Sequence, residues 1–276
     1  MLAAVIQLTS GQDVEANLAR AADWIERAAR AGAKLVALPE NLPCMREDAT
    51  GPHPAAQAAD GRVVRFLREQ AKQHGIVLAG GSFPEAIPGQ QRVHNTSLVI
   101  ESNGEICARY RKIHLFDVEL PGATLVESRG VAPGDEIVVA ETSLGVLGLS
   151  ICYDVRFPEL YRELAARGAR VLLVPAAFTV PTGQDHWEVL LRARAIENQA
   201  FVVAAAQYGA HSASRRTYGR SMIVDPWGLV LARVPDGEGM ALAELDMDHL
   251  ARIRRQLPAL RHRRLGLRTP SDAADR

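Results

Sequence analysis

The sequence predicts a mixed α/β domain built in layers. Short apolar strands alternate with amphipathic helices, and Gly, Pro and Asn-Gly turns divide them. No linker, low-complexity stretch or fixed-period repeat interrupts that alternation. The 276 residues are 47% apolar, enough to bury a full core without staples.

Each element has a local reason. Leu2 to Leu8 is a short apolar strand. Asp13 to Ala31 sets Leu18, Ala22, Ile25 and Ala29 at helical spacing, and Gly32 stops the helix. Lys34 to Pro39 is a second buried strand, and it ends on Glu40. Arg62 to His74 is a helix with Val63, Phe66, Leu67 and Ala71 on one face, closed by Gly75, and Ile76 to Ala79 follows as a strand. Asn103-Gly104 marks a hairpin between Asn95–Glu101 and Ile106–Tyr110. Gly145 to Ile151 is a buried strand ending at Cys152. Pro158 to Arg167 is a helix capped by Gly168, and Val171 to Pro175 is the next strand. Asp185 to Gln199 is a helix with Trp187, Leu190, Leu191, Ala195 and Ile196 on its apolar face, and Phe201 to Ala206 is the strand after it. Ser221–Val224, Val230–Val234 and Met240–Leu245 are late strands. The Arg- and His-rich stretch Leu250–Arg268 reads as a solvated helix and tail. One domain over 1–268 and a short tail over 269–276 are expected.

Composition narrows the function classes. Lys plus Arg and Asp plus Glu both number 32, so the overall charge calls for neither nucleic acid nor an anionic membrane. No apolar run approaches the ~18 residues of a membrane span. Cys44, Cys107 and Cys152 are odd in number and widely spaced, which is no disulfide framework. With no signal-peptide pattern at Met1–Gln7, the sequence reads as cytoplasmic. Sequence signatures of P-loops, dinucleotide folds, zinc hydrolases and serine hydrolases are absent.

Polar residues at the ends of apolar strands are the candidates for chemistry. A buried strand carries Glu40 towards a cleft, where burial would raise its pKa into the range of a general base; a strand-end salt bridge is the competing reading. Cys152 sits where a strand turns towards a helix, a rigid position for a nucleophile beside free backbone N–H groups; a buried apolar Cys is the competing reading. Lys112, in Tyr110-Arg111-Lys112-Ile113-His114, is either a surface lysine or the ammonium that stabilises a thiolate and an oxyanion. Together the three suffice to hydrolyse an amide. Glu40 takes the thiol proton, Cys152 attacks the carbonyl carbon, and Lys112 with a backbone N–H near Tyr153 holds the oxyanion. Spacing alone leaves His94, His114 and His186 open as partners of the thiol.

The segments Leu38-Pro39-Glu40-Asn41, Tyr110 to Asp117 and Ile151 to Glu159 resemble, in order, three blocks of the nitrilase superfamily of carbon–nitrogen hydrolases. The resemblance extends from about residue 2 to about residue 266. It implies a four-layer α-β-β-α sandwich, a homodimer, a small-molecule amide substrate, and neither metal nor organic cofactor. It also implies a second glutamate beside the lysine; Glu127 fits that place, with Glu119 as the competing choice. Asp185-His186-Trp187-Glu188 and Arg192 to Asn198 are similar to two amidase groups, one acting on alpha-ketoglutaramate and alpha-ketosuccinamate, the other on deaminated glutathione. The stretch Ala204 to Gly228 resembles the second group, except that Arg220 stands where that group has His. For a 2-oxo acid amide, Arg156 is expected to clamp the carboxylate, with Tyr153, Phe178 and Thr182 beside it; a loop-bracing salt bridge to Asp154 or Glu159 is the competing reading.

Overall fold

In a computed structural model, which describes residues 1–47, 52–120 and 123–265, the first strand sets the layering. Alternate side chains of β1 (Leu2–Gln7) enter two different cores: Ala3 and Val5 one, Ala4 and Ile6 the other. A sheet buried on both faces is therefore built in from the chain's start.

The elements follow as α1 (Val14–Arg30), β2 (Leu35–Ala37), α2 (Arg62–His74), β3 (Val77–Ala79), β4 (Phe83–Ala86), β5 (Val93–Ile100) and β6 (Ile106–Arg111). A hairpin, β7 (Asp117–Leu120) and β8 (Ala123–Val126), precedes β9 (Val139–Thr142), β10 (Gly145–Leu149), α3 (Pro158–Ala166) and β11 (Val171–Leu173). Then come the single turn α4 (Val180–Thr182), α5 (Glu188–Asn198) and β12 (Phe201–Ala204). The chain continues through β13 (Tyr208–Ala210), β14 (Arg216–Tyr218), β15 (Met222–Val224), β16 (Val230–Arg233), β17 (Gly239–Glu244) and α6 (Met247–Gln256).

One sheet has the order β17-β1-β2-β3-β5-β4, with β6 also pairing β5; the other runs β16-β15-β12-β11-β10-β9. Helices α1 and α2 cover the outer face of the first sheet through Leu18, Ile25, Val63 and Leu67. Between the sheets, Val5, Leu35 and Val99 share a core with Leu147, Leu149 and Val171, and α3 and α5 cover the other face of the second sheet with Leu160, Leu164, Leu191 and Ala195. The result is the four-layer α-β-β-α sandwich.

Several boundaries differ from the sequence-based expectation. Ala21 and Ala28, not Ala22 and Ala29, are the fully buried alanines of α1. Ile196, expected on the apolar face of its helix, is 49% exposed. That helix begins earlier, through α4 and a π-helical turn Gly183–Trp187, where Gly183 packs so close to Tyr218 that a Cβ would meet its ring at 2.5 Å. The basic C-terminal stretch contains α6, capped by the Asp246 carboxylate, which accepts from the Asp248 and His249 N–H groups. The expected tail 269–276 lies outside the described residues.

Candidate active site

The candidate residues reach one cavity from the ends of different strands. Glu40 follows β2 by a Leu38-Pro39 extension that is still tied to the sheet, the Leu38 N–H donating to the Ala79 carbonyl at 2.9 Å. Gly81 lets the next loop close over this segment: its φ is +66°, and a Cβ there would lie 2.1 Å from the Pro39 carbonyl oxygen. Lys112 follows β6, held by its N–H on the Asn95 carbonyl at 2.9 Å. Glu127 opens the 3-10 turn Glu127–Arg129 after β8.

Cys152 follows β10 after Ser150-Ile151 and opens the 3-10 turn Cys152–Arg156. Its φ is +50°, a left-handed conformation rare for a residue with a side chain. Its N–H donates to the Pro175 carbonyl at 2.9 Å. Below it, the buried Asp154 carboxylate accepts from the Ile151 N–H (2.8 Å), the Tyr110 hydroxyl (2.7 Å) and the His114 N–H (3.1 Å). Arg194 braces the same turn, its Nε donating to the Val155 carbonyl at 2.8 Å.

The charges interlock. Lys112 Nζ lies 3.1 Å from Glu40 Oε1, 3.0 Å from Glu127 Oε1 and 2.9 Å from Glu127 Oε2. Glu40 Oε1 also accepts from Asn95 Nδ2 at 2.9 Å, and Glu127 Oε2 from the Phe116 N–H at 2.7 Å. Burial alone would lower the Lys112 pKa, but the charges of Glu127 and then Glu40 override it and hold it well above its ordinary value. Burial first, then the Glu40 carboxylate, pushes the Cys152 thiol up, while Lys112 and the Ala177 N–H act the other way. The resting thiol therefore keeps its proton in the field of the Glu40 carboxylate. Such a set can move a proton from sulfur to carboxylate once a carbonyl carbon arrives.

Glu119 lies on β7 and is exposed, so Glu127 is the glutamate that meets Lys112. The histidines are engaged elsewhere: His94 Nδ1 lies 2.9 Å from the Ala132 carbonyl, and His114 lies 2.7 Å from Asp154 and stacks on Phe157. A cavity of about 790 Å³ opens over Cys152, walled by Tyr153, Phe178 and Thr182 among others. Arg156 departs from expectation. It does not line this cavity; its guanidinium lies 5.8 Å from the Tyr153 ring and 5.5 Å from the Phe178 ring, and both Nη atoms are 3.3 Å from His186 Nδ1. Its contacts here are with the two rings and the imidazole. Arg220 also faces away from the cavity, in an ion pair with Asp236 at 2.8 Å. Asn95, Asp154 and Arg194 were not singled out from the sequence; a polar residue within an apolar strand or directly after the cysteine was the available signal.

The sequence model of the carbon–nitrogen hydrolase family matches residues 2–255. The chain belongs to that family. A deaminated glutathione amidase of Synechocystis is 47% identical over 266 residues, covering 95% of this chain and 97% of the relative. Among solved structures, the Caenorhabditis elegans NitFhit protein superposes with a TM-score of 0.88 at 43% identity; the match covers 95% of this chain and 65% of that longer one. Saccharomyces cerevisiae Nit3, a member of branch 10 of the nitrilase superfamily, superposes with a TM-score of 0.83 at 34% identity over 94% of both chains. These findings place the chain among enzymes that hydrolyse carbon–nitrogen bonds. Among the described residues, no helix is long and apolar enough to cross a membrane.

Proposed function

We propose that this enzyme hydrolyses deaminated glutathione to 2-oxoglutarate and cysteinylglycine through a thioester on Cys152. Glu40 accepts the thiol proton as the sulfur attacks the amide carbon. Lys112, with the Tyr153 N–H at the start of its 3-10 turn, holds the oxyanion. The C–N bond then breaks, and Glu40 returns the proton to the leaving nitrogen. A water that Glu40 deprotonates attacks the thioester, the C–S bond breaks and the thiol is restored. Glu127 fixes Lys112, and Tyr153, Phe178 and Thr182 contact the substrate.

The observation that carries this reading is the pairing of the Glu40–Lys112–Glu127 network with a cavity of about 790 Å³ over the thiol. That volume suits a tripeptide-sized ligand, whereas release of ammonia alone needs no such space. The name borne by the Synechocystis relative supports the same substrate.

The working unit we propose is a single domain over 1–268, acting in the cytoplasm as a homodimer. The exposed apolar side chains Ile196, Trp227 and Leu229 suit the dimer contact, since they adjoin where Gly228 packs on Ile196. The test is kcat/KM on deaminated glutathione against alpha-ketoglutaramate, with Cys152→Ala as the blank. Preference for the first supports the proposal. Preference for the second moves the enzyme to the omega-amidases, and turnover of neither favours a catalytically silent, partner-binding member of the fold.

A further inference from the structure

The cavity has a second charged wall, apart from the Cys152 network. Arg46, on the segment after β2, and Arg215 and Arg216, at the start of β14, all line it. Arg215 is held in place: its Nη1 donates to the Arg46 carbonyl at 2.8 Å and its N–H to Ser212 Oγ at 3.2 Å. Glu47 also lines this wall, and it accepts from Ser214 Oγ at 3.3 Å. Arg215 and Arg216 thus bring two adjacent guanidinium groups to this wall.

His53 shares the wall and is nine-tenths buried. Its Nδ1 accepts the Ala55 N–H at 3.2 Å, so the ring proton sits on Nε2, a donor. Burial, reinforced by the charges of Arg46 and Arg215, lowers its pKa to about 4. The ring stays neutral near pH 7, and the wall's charge comes from the arginines.

We propose that Arg215 and Arg216, with the His53 N–H, form a subsite for a carboxylate on the leaving-group side of the scissile amide. This rests on the substrate reading above and deepens it. The acyl side of the amide meets Cys152, while a dipeptide leaving group carries its terminal carboxylate to the arginines. A substrate that released only ammonia would carry its one carboxylate on the acyl side and present none on the leaving-group side. Guanidinium–carboxylate contacts are bidentate and charge-assisted, which makes the subsite selective for length as well as for charge.

The test separates binding from turnover. Cys152→Ala protein is titrated by calorimetry with deaminated glutathione and with the same molecule capped as its glycinamide. The uncapped form should bind about tenfold or more tightly. Arg216→Ala in the same background should collapse that preference, and Arg216→Lys should restore part of it. Equal affinity for the two forms, a preference that survives Arg216→Ala, or no binding of either form overturns the subsite. Loss of the substrate reading shows separately, as wild-type protein that does not turn over deaminated glutathione.

Discussion

Replacing Asp154 with Asn should unfold the turn that presents Cys152. The Asp154 carboxylate is fully buried and accepts from the Tyr110 hydroxyl at 2.7 Å, the Ile151 N–H at 2.8 Å and the His114 N–H at 3.1 Å, with His114 Nδ1 a further 2.7 Å contact. Asn offers one acceptor oxygen in place of two. Whichever way the amide turns, either the Ile151 or the His114 N–H faces an NH2 group. Losing a hydrogen bond to a charged group costs about 1.5–3 kcal/mol, and stranding a buried N–H costs about 1–3 kcal/mol more. Asp154→Asn should therefore lose roughly 3–5 kcal/mol in urea unfolding and about 10 °C in Tm. Tyr110→Phe removes one of these bonds and also the acceptor of the half-buried Ile113 N–H, a longer bond at 3.2 Å, and should lose about 1.5–2.5 kcal/mol. The reasoning fails if Asp154→Asn lies within 1 kcal/mol of wild type, or if Tyr110→Phe costs as much. Turnover should fall in Asp154→Asn protein that is still folded, since the thiol leaves its place beside Glu40.

Lys112→Met should lower kcat far more than it raises KM, and a pure KM effect would contradict an oxyanion role. It should also destabilise the fold by about 3–5 kcal/mol, because Glu40 and Glu127 are left without their shared cation. The Cys152 thiol, pushed up by burial and by Glu40, should alkylate faster as pH rises through 9, followed by mass spectrometry of its peptide; a rate already level at pH 7 would show a resting thiolate. Burial alone would raise the Glu85 pKa, but hydrogen bonds from Arg111 and Thr96 and the charge of Arg109 hold it at about 2. A depressed carboxylate stabilises the fold above its unfolded pKa. Glu85→Gln should thus cost roughly 2 kcal/mol at pH 7, allowing for the partly exposed arginines, and the gap should close as pH falls from about 4.5 towards 2. Urea unfolding at pH 7 and pH 3 checks it; a gap that does not shrink argues against charge as its source.

Strands and helices that obey simple periodicity were legible. Lys34–Pro39, Gly145–Ile151 and the Asn103-Gly104 hairpin appear within a few residues of expectation. The hairpins β7–β8 and β13–β14 were not, because short half-exposed strands lack a clear alternation. Strand β4 was hidden by Pro84, which argues against a strand from sequence alone. Within the site, Glu40, Lys112 and Cys152 were legible because each ends or follows a buried strand, and the family resemblance joined them. The disposition of Arg156 was not. Four residues past the cysteine, it has the reach of a clamp, but the Tyr153 and Phe178 rings decide where it points, and ring packing is a tertiary outcome. The Arg46–Arg215–Arg216 wall unites segments about 170 residues apart, which only the folded chain brings together.

The first strand takes its outer partner from the far end of the domain. β1 pairs with β2 on one side and with β17 on the other, from Leu2 opposite Glu244 to Gln7 opposite Gly239. During synthesis β1 leaves the ribosome long before β17. Over that whole interval one edge of an apolar strand, Leu-Ala-Ala-Val-Ile-Gln, has no native partner. A chain stopped short of residue 239 keeps that edge open, a template for pairing with other chains. The central strands of the second sheet, β10, β11 and β12, lie close in sequence and can pair as soon as they emerge. Time, as well as geometry, thus divides the two halves of the sandwich: β10, β11 and β12 can pair before β17 is made, and the sheet that carries Glu40 is closed only once β17 has emerged.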